Sequence, residues 1–159
     1  MKTLPEKIDL IVFDFDGVFT DDKVITDETG KESVVCSRSD GLGIEMLNRE
    51  GIKMLVISKE RNAVVAKRCD KLKLSCAQGI NDKLTFLTFL LLERRIPPTN
   101  VIYIGNDVND LECMKIVGCS VCPSDSHQEI RKVAGIILEH TGGNGAVREL
   151  VDMILRRKL

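Results

Sequence analysis

The sequence predicts an α/β fold in which a parallel central sheet is sandwiched between two layers of helices. Short, almost uninterrupted apolar runs of strand length recur along the chain, as expected for strands buried on both faces. Segments of helical periodicity separate them, long enough for right-handed crossovers between parallel strands. No repeat, low-complexity tract or Gly/Ser linker interrupts the 159 residues, so one domain over residues 1–159 is expected.

The first strand is Ile8-Asp-Leu-Ile-Val-Phe13. After it, residues 18–38 break the rhythm with two β-like runs, Lys23–Thr26 and Ser33–Cys36, around the turn-rich Asp27-Glu-Thr-Gly30. This reads as an inserted β-hairpin. A helix over about 41–50 leads to the strand Met54-Leu-Val-Ile57, and a helix over 61–72 leads to the short run Leu74-Ser-Cys76. A helix over 82–95 precedes the strand Val101-Ile-Tyr-Ile104. Helices over 108–117 and 126–133 follow, then the strand Gly135-Ile-Ile-Leu138. In the last helix, Val147, Leu150, Val151, Ile154 and Leu155 recur at i, i+3, i+4, i+7 and i+8, one apolar face of a helix.

Composition narrows the function. Hydrophobic residues are 43% and charged residues 30%, which excludes a disordered, collagenous or coiled-coil chain. Lys plus Arg is 23 against 24 for Asp plus Glu, a net charge of −1, and aromatics are 4% with no Trp. That balance argues against nucleic-acid or polybasic membrane partners and against base-stacking platforms. The first apolar run is too short to cross a membrane and lacks a small-residue cleavage site. A cytoplasmic location with six reduced cysteines is therefore expected. Cys119-Ser-Val-Cys122, with His127 nearby, has half the ligands of a structural zinc site and lies in an apolar run. Buried thiols are the preferred reading.

In open α/β sheets, ligands bind beyond the carboxyl ends of the strands. The first strand ends in Asp14-Phe-Asp16-Gly17, the second in Ser58, and that of residues 101–104 in Gly105-Asn-Asp107 followed by Asn109-Asp110. Lys83 opens the helix after Leu74–Cys76. These groups suit phosphoryl transfer. One carboxylate attacks phosphorus, and a second protonates the leaving oxygen and then activates water. A hard divalent cation offsets the repulsion between carboxylates and phosphate, while a lysine and a hydroxyl orient the phosphate oxygens. Taken singly, each has a plainer role: Ser58 as a helix N-cap, Lys83 as a solvated lysine, Asp110 as an acid favouring a helix start.

Asp14-Phe-Asp-Gly-Val-Phe-Thr20, Ser58, Lys83 and Gly105-Asn-Asp-Val-Asn-Asp110 resemble the four motifs of the haloacid dehalogenase superfamily. Arg38-Ser-Asp-Gly-Leu-Gly-Ile44 and Gly142-Gly-Asn-Gly-Ala-Val-Arg-Glu149 narrow the resemblance to its small phosphatases of 3-deoxy-2-ulosonic acid phosphates. That group includes octulosonate 8-phosphate and nine-carbon 9-phosphate enzymes. A similar module ends some N-acylneuraminate cytidylyltransferases. The resemblance spans about residues 8–157 and implies a Rossmann-like three-layer fold, with a hairpin after the first strand.

It also implies Asp14 as nucleophile, Asp16 as general acid/base, Ser58 and Lys83 as phosphate ligands, and Mg²⁺ as cofactor. The metal ligands would be Asp14, Asp16 through its carbonyl, and Asn106, where the family usually has Asp, with Asp107 as a compensating ligand. The missing charge implies a weaker metal site, since one charge at 4 Å is worth about 4 kcal/mol at an effective dielectric near 20 before screening. Neither the 44 residues from Asp14 to Ser58 nor the 23 from Lys83 to Asn106 leave room for a cap domain. The resemblance implies a homotetramer whose neighbouring subunits close the pocket over a small acidic sugar phosphate. Glu60 in Ser58-Lys-Glu-Arg61 resembles the nine-carbon type, a sialic-acid-like 9-phosphate, while an octulosonate 8-phosphate is the alternative. Arg68, Lys71 and Arg148 are the candidates to face the sugar acid. A phosphate-accepting receiver domain fits less well, because Met54-Leu-Val-Ile-Ser58 ends without an Asp. A catalytically weak assembly module associated with CMP-sialate synthesis is a further alternative, opposed by the intact Asp14/Asp16 pair and favoured by Asn106.

Overall fold

The computed structural model describes residues 3–157. Eight strands and six helices run in the order β1 (Leu10–Phe13), β2 (Ile25–Thr26), β3 (Glu32–Ser33), α1 (Arg38–Arg49), β4 (Met54–Ile57), α2 (Ala63–Leu72), β5 (Ser75–Ala77), α3 (Lys83–Glu93), β6 (Val101–Ile104), α4 (Leu111–Ile116), β7 (Cys119–Cys122), α5 (Gln128–Val133), β8 (Ile136–Ile137) and α6 (Ala146–Arg156). Six strands form one sheet in the order β5-β4-β1-β6-β7-β8. Every pairing in it is parallel. Strands β1, β4, β6 and β7 are buried at every residue, which is why their sequences are apolar without alternation.

Two apolar layers flank the sheet. Ile11 and Phe13 of β1 pack with Ile44 and Leu47 of α1, Val65 of α2, and Val147, Leu150, Val151 and Ile154 of α6. Leu10 and Val12 pack on the opposite face with Leu87, Leu90 and Leu91 of α3, Met114 of α4 and Ile130 of α5. Successive strand residues thus feed opposite layers, as the pleat requires.

Several boundaries differ from the sequence reading. Helix α1 begins at Arg38, three residues before the expected start, because the Ser37 hydroxyl caps it by accepting from the N–H groups of Ser39 and Asp40. Gly43 lies inside this helix for a packing reason. A Cβ there would meet Val151 Cγ2 at 3.1 Å and Arg148 Cδ at 3.3 Å, so the glycine permits the close approach of α6. The hairpin has two paired residues per strand, and an isolated Thr20–Cys36 bridge closes its base.

Cys119–Cys122 forms a central strand, β7, that the sequence reading did not identify as one. Cys119 joins the layer of α1, α2 and α6, and Cys122 joins the other. Residues three apart on a strand face opposite ways, so the two thiols cannot share a metal. His127 instead caps α5, its ring accepting from Glu129 N–H.

The segment before α6 is tied down by Glu149, whose carboxylate accepts from the N–H groups of Glu139 and His140 and pairs with His140 Nδ1 at 2.9 Å. Burial raises this carboxyl's pKa, but those hydrogen bonds outweigh it and hold it below the usual glutamate range. Its stabilisation is therefore present at neutral pH and fades as pH falls through that lowered pKa. Glu149→Gln is expected to cost about 1–2 kcal/mol at pH 7, with the difference closing on acidification. Urea unfolding at pH 7 and in the acid range checks this. A difference that persists in acid would refute the assignment.

Candidate active site

The carboxyl ends of β1, β4 and β6 converge on one edge of the sheet. Asp14 follows β1 directly, anchored by its N–H donating to Ile104 O at 2.9 Å. Its carboxylate Oδ1 accepts from Phe15 N–H at 2.7 Å and from Lys83 Nζ at 2.9 Å. Lys83, at the start of α3, also donates to Asp110 Oδ1 at 2.8 Å. The ammonium is 1% exposed between carboxylates that are 8% and 0% exposed. Lys83 is therefore a buried linker of two acids.

Asp110, which the sequence placed among the acids at this sheet edge without a role in catalysis or binding, is the second of these acids. Its Oδ1 also accepts from the Tyr103 hydroxyl at 2.8 Å, and its Oδ2 accepts from Asn106 N–H at 3.1 Å. Gly105 leaves room for it, since a Cβ there would meet Asp110 Oδ2 at 2.5 Å. The available signal was the spacing in Gly105-Asn-Asp-Val-Asn-Asp110, which places Asp110 at the end of a 3-10 turn capped by Asp107.

Asp14, Asp16, Ser58, Glu60, Asn106 and Asp107 line a single cleft of about 310 Å³, alongside Asp22 and Lys59. Ser58 is buried, and its hydroxyl accepts from Glu60 N–H at 3.1 Å, which turns the chain after β4 over the cleft. Asn106 lies against Gly17, whose φ is +71°. A Cβ there would stand 1.8 Å from Asn106 Nδ2. Gly17→Ala adds left-handed strain of about 1 kcal/mol to that collision. It is expected to lower both the melting temperature and turnover, the latter by at least about tenfold. Wild-type turnover in the variant would show that Asn106 need not hold its place.

Electrostatics sharpen the picture. Burial, then the charge of Asp110, pushes the Asp14 carboxyl up to about 8, against the opposing pull of Lys83. Burial works against the Lys83 charge, yet the two carboxylates prevail and raise its pKa. Asp16 is raised by burial, then by Glu60 and Asp22. An acid kept protonated beyond its usual range is suited to donating a proton.

The oxygen donors of Asp14, Asp16, Asn106 and Asp107 share this cleft. Among the described residues no three His, Cys, Asp or Glu side chains group to hold a metal. The donors that share the cleft are carboxylate oxygens and the Asn106 amide, a hard oxygen set that fits Mg²⁺, which completes its octahedron with water and phosphate oxygens.

Three expected sugar-acid ligands do not join the cleft within one chain. Arg68 Nη2 donates to Ser37 O at 2.9 Å, tying α2 to the start of α1. Lys71 lies in the last turn of α2, a helix that leaves the site edge at its N-terminal end, and is exposed. Arg148 Nε donates to Asp152 Oδ1 at 2.9 Å along α6. The Gly-rich stretch before α6 serves the site through its backbone. Gly143 N–H donates to Val18 O at 3.0 Å, and a Cβ on Gly142 would stand 2.0 Å from Gly17 O. It thereby clamps the turn that follows Asp16.

Comparison with known proteins gives a consistent family. Residues 76–150 match the model of the haloacid dehalogenase-like hydrolases. The 3-deoxy-D-manno-octulosonate 8-phosphate phosphatase of Salmonella typhi is 34% identical over 156 residues, covering 98% of this chain and 83% of the relative. A haloacid dehalogenase-family protein from Streptomyces avermitilis superposes with a TM-score of 0.93 at 43% identity, covering 98% of this chain and 89% of that one. The 3-deoxy-D-manno-octulosonate 8-phosphate phosphatase of Moraxella catarrhalis, solved with magnesium, phosphate and the sugar acid, superposes with a TM-score of 0.90 at 34% identity. That superposition covers 94% of this chain and 86% of the other.

Proposed function

This chain belongs to the haloacid dehalogenase superfamily, among its small phosphatases of 3-deoxy-2-ulosonate phosphates, and is a Mg²⁺-dependent phosphoric monoester hydrolase; from that premise we propose that it removes the terminal phosphate of a 3-deoxy-2-ulosonic acid through Asp14. The observation that carries the residue assignment is the buried Asp14–Lys83–Asp110 array at the end of β1. Both donors to Asp14 sit on Oδ1, which leaves Oδ2 to attack phosphorus. As the Asp14–phosphorus bond forms and the bond to the sugar oxygen breaks, Asp16 gives that oxygen its proton. Asp16 then takes a proton from water, which attacks the aspartyl phosphate, frees phosphate and restores Asp14. Ser58 and Lys83 hold phosphate oxygens in line.

Asp14, the Asp16 carbonyl and Asn106 would hold Mg²⁺, with Asp107 beside them. When bound, the ion neutralises the phosphate and allows a carboxylate to approach it. Asn106→Asp is expected to tighten Mg²⁺ binding by at least about tenfold, because it restores a negative charge next to the cation. Titration of metal-free protein reads this directly, and unchanged affinity would mean that Asp107 already compensates.

Octulosonate 8-phosphate is the first substrate to test, because relatives matching nearly the whole chain are phosphatases of that ester. A nine-carbon 9-phosphate is the second reading, supported by Glu60 in the cleft lining. Phosphate release from both esters and from hexose phosphates, with Mg²⁺ or EDTA, separates them. Failure on every ulosonate ester would remove the substrate reading.

The proposal includes a homotetramer. Val24, Ile25 and Val35 of the hairpin region are 53%, 63% and 64% exposed, an apolar surface beside an uncapped cleft that a second subunit would cover. A monomer by light scattering at micromolar concentration would contradict it. The six free thiols suit a reducing, cytoplasmic location. Among the described residues no helix is long and apolar enough to cross a membrane.

A further inference from the structure

We propose that Lys59 binds the carboxylate of the sugar acid and thereby selects acidic sugar phosphates over neutral ones. The inference rests on the reading of the substrate as a 2-ulosonate ester and adds the residue that meets its acid end. Five carboxylates line the cleft, those of Asp14, Asp16, Asp22, Glu60 and Asp107, and Lys59 is the one cationic side chain among the described lining residues. Lys83 has no second role to offer there, because its ammonium is 1% exposed and shared between Asp14 and Asp110. Arg68, Lys71 and Arg148 are not among the lining residues. Within one chain, a substrate with two anionic ends thus meets five acids and one uncommitted ammonium.

Lys59 is exposed, and no ion pair among the described residues involves it. Its backbone, in contrast, is held on both sides. Ser58 N–H donates to Ala77 O at 2.9 Å, and Ile80 N–H donates to Ser58 O at 3.1 Å. Beyond Lys59, Gly79 N–H donates to Glu60 O at 3.1 Å, and Glu60 N–H donates to the Ser58 hydroxyl at 3.1 Å. A fixed turn therefore carries a flexible stem with three donors at its tip. Binding an anion there orders side-chain rotamers and no backbone, which keeps the entropic cost small.

The order of residues along this turn matches the order of groups along the substrate. In a 2-ulosonate ester of the terminal hydroxyl, phosphate and carboxylate lie at opposite ends of the carbon chain. Phosphorus has to reach the buried Asp14, which leaves the carboxylate toward the rim. Ser58 is buried on the phosphate side, and Lys59 next to it is exposed. A phosphate ligand would stand close to the nucleophile, as Lys83 does at 2.9 Å from Asp14, and Lys59 makes no such pair. An ammonium on a carboxylate is a charge-assisted contact that a neutral sugar lacks.

The two products of the reaction carry the two ends of the substrate, so product inhibition tests the assignment. Hydrolysis of the better ulosonate phosphate is measured with saturating Mg²⁺ in wild type, Lys59→Met and Lys59→Arg, with inorganic phosphate and the free sugar acid as inhibitors. In Lys59→Met, KM of the ester and the inhibition constant of the sugar acid are each expected to rise at least about tenfold. The inhibition constant of phosphate and kcat are expected to stay within about threefold, the signature of a lost binding contact remote from the reacting atoms. Lys59→Arg is expected to stay close to wild type. None of the KM or inhibition constants depends on the fraction of protein folded, so partial unfolding does not mask the outcome. An unchanged KM, equal rises in both inhibition constants, or a rise confined to phosphate would overturn the role of Lys59 and leave the phosphatase and substrate readings standing. Absence of turnover of every ulosonate ester by the wild-type chain would overturn the substrate reading and this inference together.

Discussion

Lys83→Met is expected to destabilise the protein by about 3–5 kcal/mol near neutral pH and to reduce turnover by at least about 100-fold. The lysine is enclosed between Asp14 and Asp110, and without it two buried carboxylates face each other uncompensated. The chain can relieve this only by protonating one of them. Asp14 already titrates high through burial and the charge of Asp110, and loss of Lys83 removes the group that opposes both. In the variant the folded state then binds a proton that the unfolded state releases, so stability falls as pH rises and recovers on acidification. Urea unfolding in EDTA at pH 5.5 and pH 8 measures the difference. A variant as stable as wild type at pH 8 would show that Lys83 is not what reconciles the two acids.

Asp14→Asn should separate activity from stability in the opposite way. It removes the proposed nucleophile, and phosphate release is expected to drop by about 10⁴-fold or more. It also removes one of two like charges that burial disfavours, while Lys83 keeps its 2.8 Å bond to Asp110. The melting temperature in EDTA is expected to hold or to rise by about 2–4 °C, the shift that 1 kcal/mol gives a domain of this size. Such a result would mark Asp14 as a residue retained for chemistry at a cost in stability. A clear fall in melting temperature would instead assign it a structural role alongside its chemistry.

The parallel sheet was legible because full burial leaves little choice of residue. Ile8–Phe13, Met54–Ile57 and Val101–Ile104 could hardly be anything else. Strand β7 was missed because Cys-Ser-Val-Cys has a single β-branched residue, and its place between β6 and β8 comes from tertiary pairing. The cleft residues Asp14, Asp16, Ser58 and Asn106 were legible from their places at strand ends. Asp110 was legible as a member of that cluster, but its bond to Lys83 was not, since a lysine 27 positions away leaves no local pattern. Arg68, Lys71 and Arg148 were drawn toward the sugar by charge chemistry. Their positions depend on helix direction and on partners such as Ser37 and Asp152, which charge alone does not reveal.

The clamp of Gly142 and Gly143 on the turn after Asp16 has a consequence for synthesis. Asp14 leaves the ribosome well before Gly142 and Gly143, the backbone that braces the turn after it. At about 5–20 residues per second, several seconds separate the two. By the end of that interval a nascent chain carries every acidic group of the cleft, from Asp14 to Asp107, without the brace that arranges them. Competence for phosphoryl transfer thus waits for one event, the docking of α6 and of the glycine backbone that leads into it.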